Sequence, residues 1–393
     1  MKKLFFIAFA SLLCVTLFRV YGYNLYKSEV RIVSGGDLLI SASILEASKI
    51  DNSKYNFDDI FKYVKPYIES ADYAVINLET GIGGRARGYA GFPQFNTPKG
   101  ILTSAKNAGF DLVLTASNHS YDLGYRALLY KLSSLEEKQL EYVGMRKTTE
   151  EPFHKVIEVK GVHFGILNYT RESTISTEEK IILNRVKSEK KKIVVDERGK
   201  DLIARFNYHH LDDFYETLEK DIAALKEQGA EIIVAYPHWG KEYCIEARDK
   251  ESDIAQKMCD LGVDVIIGGH PHVVAPVKVL KSDISGKETV CIYSTGNFVS
   301  SMSHKQKKPN ADYVEDGALF GFTVKRNWRG VAEVVSADVL PLWVVKENGK
   351  YVVMPLDQEN NCKEAYQASY NRTMGLVKEG LDEFNQLKNK GII

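Results

Sequence analysis

The chain has 393 residues, 44% of them hydrophobic and 26% charged, which is enough apolar material for a full core and too much for disorder as the dominant state. Its 52 basic and 52 acidic side chains cancel, so there is no global electrostatic case for binding nucleic acid or an acidic membrane surface. Partners have to be argued from individual sites.

Lys2 and Lys3 precede an uncharged apolar run, residues 4–18, which Arg19 interrupts. Two cations ahead of about 15 apolar residues read as an export or anchoring signal. Val20 and Tyr21 extend the run toward the roughly 20 residues that a membrane span needs, with Arg19 snorkelling. The protein is therefore expected to be extracytoplasmic, either secreted after cleavage near Gly22 or anchored to the membrane by this segment. Cys14 follows Leu13 rather than a small residue, so lipidation is not expected. Cys244, Cys259, Cys291 and Cys362 form no CxxC pair, which argues against a zinc ribbon or a disulfide framework, and Cys259 and Cys291 read as small buried hydrophobes.

From residue 30 onward, short β-branched runs alternate with segments of helical period. A strand at 30–34 is followed by a helical pattern at 57–68, a strand at 73–78, a helix at 98–108, a strand at 112–115 and a helix at 125–140. Further strands are expected at 162–168, 231–236, 263–267 and 290–293, with helices near 212–229 and 251–261 between them. The lysine- and glutamate-rich stretch 171–210 breaks the rhythm without linker composition and reads as a surface insertion. Beyond a polar loop at 300–316, strands are expected at 319–324 and 331–339, then an amphipathic helix near 362–387. The reading is an α/β domain at 29–345 behind a signal or anchor segment at 1–28, with a tail at 346–393.

Five segments place metal-ligand residue types directly after strand-like runs, where α/β folds build their sites. They are Gly35-Gly36-Asp37, Asn77-Leu78-Glu79, Ser117-Asn118-His119, Pro237-His238-Trp239-Gly240 and Gly268-Gly269-His270-Pro271-His272. A carboxylate after a strand is more often a cap or turn residue, and a lone histidine is usually a satisfied polar side chain. The conjunction changes this, because four of the nine histidines fall in these segments beside small residues that permit close approach. Imidazoles, carboxylates and an amide oxygen suit manganese, iron or zinc better than calcium. A bridging carboxylate can hold two such ions, which activate water and brace both oxygens in phosphoester hydrolysis. His119 would then protonate the leaving oxygen, with Asp122 orienting the imidazole.

The ordered series Gly36-Asp37, Asn77-Leu78-Glu79, 116–124 (ASNHSYDLG), 238–243 (HWGKEY), Gly269-His270-Pro271-His272 and 293–298 (YSTGNF) resembles the CapA family of poly-γ-glutamate capsule biosynthesis. That family is similar in turn to the calcineurin-like metallophosphoesterases. The resemblance implies a two-sheet sandwich flanked by helices, a four-layer αββα arrangement, with one or two divalent metal ions at the strand ends. It makes Asp37 and His272 ligands of one metal, Asn118, His238 and His270 ligands of the second, and Glu79 the bridge. It also implies capsule work at the envelope by a metal-dependent hydrolase, on a phosphoester or an anionic polymer, alongside membrane-bound synthase subunits. Two rival readings are a non-catalytic, membrane-tethered accessory subunit and a secreted metallophosphatase unrelated to capsules.

One departure is clear. Leu39 stands where the phosphoesterase Asp-x-His motif has its histidine, so the position built on Asp37 and His272 is a ligand poorer than the one around Glu79, Asn118, His238 and His270: it binds weakly, uses water or Glu242 instead, or is empty. Thr80-Gly81 replaces a loop proline and should alter only the loop. Arg85, Arg87 and Arg171, with Lys99, lie in loops that could hold an anionic substrate or simply be solvated. Asn297 supports the ligands or forms a turn, and Trp239 either walls the pocket or packs. The loop 89–98 covers the site or is a surface excursion.

Overall fold

β-Branched residues at period two build seventeen strands among the residues described, which are 29–390 of a computed structural model apart from 52, 178–179, 187–190 and 358–363. The expected export or anchor segment 1–28, with Cys14, and Cys362 lie outside the described residues. The first nine strands are β1 (Val30–Leu38), β2 (Tyr73–Asn77), β3 (Leu112–Leu114), β4 (Glu141–Val143), β5 (Lys155–Val159), β6 (Val162–Arg171), β7 (Ile182–Val186), β8 (Lys191–Val194) and β9 (Arg205–Phe206). The others are β10 (Ile232–His238), β11 (Val265–Ile267), β12 (Val274–Lys281), β13 (Glu288–Thr295), β14 (Asn297–Val299), β15 (Asp316–Arg326), β16 (Ala332–Glu347) and β17 (Lys350–Pro355). Helices α1 (Ala42–Ser48), α2 (Asp58–Phe61), α3 (Lys65–Glu69), α4 (Gly100–Asn107), α5 (Tyr125–Glu137), α6 (Leu211–Glu227), α7 (Asp249–Leu261) and α8 (Glu364–Lys390) connect or flank them.

One sheet has the order β17-β16-β15-β1-β2-β3-β4 with β14 beside β1, and the other has β12-β13-β11-β10-β6-β5 with β9 beside β6. Strands β1 to β4 are mutually parallel, as are β6, β10, β11 and β13. Antiparallel strands complete the edges. Alternation divides the side chains among three apolar layers. Val30, Ile32, Val75 and Leu112 meet Phe164, Ile166, Val234, Val265 and Ile292 between the sheets. On the outer face of the first sheet, Val33, Ile76 and Val113 pack on Ile44, Ile60, Ile101 and Leu128 of α1, α2, α4 and α5. On the outer face of the second, Leu167, Ile233 and Ile266 pack on Leu218, Ile222, Ile254 and Met258 of α6 and α7. Each such burial stabilises by about 1.5–3 kcal/mol. The chain is the expected α/β two-sheet sandwich with helices on both sides.

Residues beyond 345 belong to the same core, because β16 and β17 extend the first sheet to Pro355 and α8 inserts Val377, Leu381 and Phe384 among the residues between the sheets. At Gly380 an added Cβ would come within 2.1 Å of the Val277 carbonyl oxygen, so only glycine lets α8 lie this close to β12. Asn385 pins the helix to β16 by accepting from Ala337 N and donating to Ala337 O. Among the described residues no helix is long and apolar enough to cross a membrane.

The expected surface insertion 171–210 is only partly a surface feature. Leu183, Ile193, Val195, Leu202 and Ile203 are buried in the core outside the first sheet, and β9 continues the second sheet. Its charged sequence masks this because the apolar residues sit singly among lysines and glutamates. Cys259 and Cys291 are buried, as expected.

Candidate metal centre

Because the central strands of both sheets are parallel, residues at their C-terminal ends converge on one end of the sandwich. At β1 the convergence is helped by glycine: a Cβ on Gly36 would lie 2.1 Å from the Gly296 carbonyl oxygen. The β1–β2 register shifts between Gly35 and Asp37, a bulge that re-aims Asp37. Leu78 follows β2 and bonds back to Leu114 O, which carries Glu79 to the same place. His238 ends β10 and pairs as an isolated bridge with Gly269. In the loop after β11, His270 (φ 94°) and His272 (φ 62°) both take left-handed backbone conformations, which non-glycine residues adopt mainly where function holds them.

Ligand atoms of Glu79, His238 and His270 all lie within 4.8 Å of one another, and so do those of Asp37, Glu79 and His272. Glu79 belongs to both groups, the position a bridging carboxylate requires. Asn118 Oδ1 lies 2.9 Å from His238 Nε2, which is also 3.3 Å from Glu79 Oε1. His272 Nδ1 is 3.6 Å from Asp37 Oδ2 and 3.7 Å from Glu79 Oε2. Asp37 Oδ1 accepts from Asn77 Nδ2 at 2.6 Å, and Asp37 Oδ2 accepts from His270 N at 3.1 Å.

The electrostatics of this cluster call for a cation. Asp37 and Glu79 are fully buried, and neither Glu79 oxygen has a hydrogen-bond partner; the same holds for His270 Nδ1. Burial, aided by Glu79, pushes the Asp37 carboxyl up to about 6, and burial likewise raises Glu79. Burial lowers His238 to about 3 and takes His270 well below the usual imidazole range, with Arg171 adding to the effect. His238 and His270 are thus held neutral, with lone pairs to offer, and burial disfavours the charge on both carboxylates. That donor set, nitrogen and oxygen in a buried cluster, fits a divalent transition metal.

His119 stands beside the cluster. Its Nδ1 is 2.7 Å from Asp122 Oδ2, and its ring meets Phe95 edge to face at 4.7 Å. Burial opposes its charge, but Asp122 and then Glu79 outweigh burial and raise its pKa. Asp122 accepts from Phe95 N at 3.1 Å and from Asn184 Nδ2 at 3.1 Å. The loop 89–98 therefore closes over His119. Asn184, on β7 of the inserted segment, was not singled out in the sequence, and no local motif announces it.

The remaining candidates divide. Arg171 ends β6 and its guanidinium reaches His270 Nε2, with Nε at 3.1 Å and Nη2 at 2.8 Å. Arg85 and Arg87 are exposed on a short helical turn, and Lys99 pairs with Glu137. Trp239 is buried, donates to Tyr293 O at 2.9 Å and stacks on that ring, so it packs. Asn297, paired in register with Asp37, donates to His272 O and sets its Oδ1 3.1 Å from His272 Nδ1, which fixes the position of the His272 ring. Leu39 is buried and bonds through its backbone to Val299. Glu242 is exposed and lies outside both ligand groups.

A model of the family described as bacterial capsule synthesis protein PGA_cap matches residues 31–302. The PGA biosynthesis protein CapA of Bacillus subtilis (strain 168) is 25% identical over 364 residues, 90% of this chain and 83% of that one. The capsule biosynthesis protein CapA of Bacillus anthracis is 24% identical over 330 residues, 82% and 69% of the respective chains. Among solved structures, a hypothetical protein from Thermus thermophilus has a TM-score of 0.37 at 14% identity, covering 83% of this chain and 98% of its own. The sulfate thiohydrolase SoxB of Thermus thermophilus has a TM-score of 0.39 at 12% identity, covering 81% and 46%.

Proposed function

The chain belongs to the bacterial capsule synthesis family PGA_cap, and from that premise we propose that it is an envelope-located, metal-dependent hydrolase of capsule synthesis or export. Its substrate would be a phosphoester or an anionic polymer such as poly-γ-glutamate, supplied by membrane-bound synthase subunits. The observation that carries this reading is the fully buried carboxylate pair, Asp37 and Glu79, converging with His238, His270 and His272 in two ligand-sized groups that share Glu79, whose oxygens have no hydrogen-bond partner.

Asp37, Glu79 and His272 would hold one ion, and Glu79, Asn118, His238 and His270 a second, with manganese, iron or zinc matching the donors. A divalent ion there supplies Lewis-acid polarisation of an anionic oxygen and lowers the pKa of water. The chain's own contribution is proton handling at His119. Asp122 occupies Nδ1, so Nε2 carries the exchangeable proton, whose retention Asp122 and Glu79 favour against the opposing effect of burial. Phe95 N and Asn184 hold Asp122 in turn.

The test is turnover of a model phosphodiester and of poly-γ-glutamate by the manganese-loaded protein, with His119→Ala as the comparison. The expected loss is about 10²–10⁴-fold, typical of a removed general acid, with metal content unchanged. Equal turnover by His119→Ala would overturn the role of His119. A second reading is favoured by one observation, Leu39 standing buried beside Asp37 where a ligand is expected: a non-catalytic accessory subunit that binds the polymer or its synthase. Polymer production in cells carrying His119→Ala or His238→Ala separates the two, since only the accessory reading leaves production intact.

A further inference from the structure

Four of the eight large hydrophobic side chains that stand exposed among the described residues gather at the end of the sandwich away from the metal centre. They are Ile284, Trp328, Val331 and Leu387, with Ile284 77% and Trp328 75% exposed. Strand direction puts them together. β15 runs antiparallel to β1 with Val324 opposite Val30, so the turn into β16, which presents Trp328 and Val331, lies beside the start of β1. β13 runs parallel to β11, so the turn that precedes it, with Ile284 in it, lies at the same end. Lys388 of α8 pairs with Glu288 at the start of β13 at 3.1 Å, which brings Leu387 there too. Arg326 joins the two sheets at this end, donating to Glu231 ahead of β10 at 2.8 Å and to Gly161 O in the β5–β6 turn at 2.7 Å. Val30 and Asp37 stand seven positions apart on β1, so roughly 23 Å of strand separate this end from the metal centre.

The exposure of Trp328 is built into its turn, where Asn327 Oδ1 accepts from Arg329 N at 2.9 Å and from Val331 N at 3.1 Å. Cations flank both apolar tips. The Arg329 guanidinium lies 4.6 Å from the centroid of the Trp328 ring, and Lys281 and Lys287 frame the turn that carries Ile284, all three exposed. Asp283 and Glu333 oppose them in part, while Glu29 and Glu231 are taken by Lys325 and Arg326. An exposed indole among apolar and cationic side chains matches the headgroup layer of a bilayer, where indoles settle and cations meet lipid phosphates. The chain itself points to that partner. Its apolar run 4–18 joins the described residues at Glu29, on this same end, where Glu29 pairs with Lys325 at 2.5 Å. Residues 19–28 between them can span at most about 35 Å.

We propose that this end is a membrane seat: Trp328, Val331 and Ile284 enter the headgroup layer of a bilayer containing anionic lipid, and the metal centre faces away from it. The inference rests on the anchored reading of residues 1–28 and is independent of what the metal centre turns over. A substrate then reaches the metal centre from the side away from the lipid, after it has cleared the bilayer.

The full chain in vesicles of equal parts phosphatidylcholine and phosphatidylglycerol tests this. Tryptophan emission is compared between ordinary vesicles and vesicles brominated on the acyl chains just below the headgroup, and then with iodide in the water. Wild type minus Trp328→Phe isolates the signal of Trp328, an exposed position where phenylalanine leaves the fold intact. Trp328 should lose most of its emission to the brominated lipid and little to iodide. Omitting phosphatidylglycerol should weaken the loss; an equal loss without it overturns the part given to the cations. A chain that floats with the vesicles while Trp328 yields to iodide and not to brominated lipid overturns the seat and leaves the anchor standing. Shielding of Trp328 from both quenchers means that a second copy covers the face, and overturns the seat as well. A chain that does not float with the vesicles overturns the anchored reading and the seat with it.

Discussion

Glu79→Gln should make the metal-free protein more stable while removing its response to metal. In the folded chain Glu79 is fully buried with neither oxygen bonded, and leaving a buried charge uncompensated costs several kcal/mol, part of which the raised pKa relieves by protonation. Exchanging the carboxylate for a neutral amide of the same shape should gain about 1–3 kcal/mol in chelator. For 393 residues, at about 2.1 cal/mol/K of unfolding entropy per residue, 1 kcal/mol corresponds to roughly 1.2 °C in Tm. The variant should therefore melt about 1–4 °C above wild type without metal. With manganese at a hundred times its Kd, wild type should gain about 2.7 kcal/mol, or roughly 3 °C. The variant should gain nothing, because Glu79 serves both ligand groups. Calorimetry of both proteins with and without metal checks this. A variant that melts below wild type in chelator and still rises with manganese would refute the charge argument.

The Asp37 carboxyl is raised from 3.8 to about 6 by burial, so the folded metal-free chain binds a proton that the unfolded chain releases. That stabilisation is complete below about pH 4 and is lost as pH rises through about 6, on the order of 3 kcal/mol in all. Urea unfolding in chelator from pH 4 to 7 should show the decline in wild type and not in Asp37→Asn; parallel curves would count against it. Asn184→Ala should cut turnover about tenfold with metal content unchanged, since it frees Asp122 rather than a ligand; kinetics alongside metal analysis decides. Gly36→Ala drives a Cβ to 2.1 Å from Gly296 O and should cost about 3 kcal/mol. An unchanged melting temperature would mean that β1 and β14 separate easily.

The sandwich was legible where strands are buried on both faces: residues 30–34, 73–78 and 231–236 are nearly continuous β-branched or apolar runs, and each became a parallel central strand. Edge strands such as β5, β12 and β17 carry lysines, half-exposed on one face, and did not stand out. The strand-end residues were found because glycine, proline and histidine cluster there in the sequence. What escaped notice depends on tertiary contact. Asn184 reaches Asp122 across sixty-two positions of chain, and Arg171 reaches His270 across ninety-nine. Nothing local distinguishes Arg171 from Arg85 and Arg87, which stand in solvent. The packing role of Trp239 likewise follows only from Tyr293 lying beside it.

The central claim is that Asp37, Glu79 and His272 hold a divalent ion. An anomalous difference map from crystals of the manganese-loaded protein, collected at the manganese edge, tests it directly. A peak enclosed by Asp37, Glu79 and His272 is predicted, with a second among Glu79, His238 and His270. A map with no peak at the first position, from protein saturated with manganese, would contradict it.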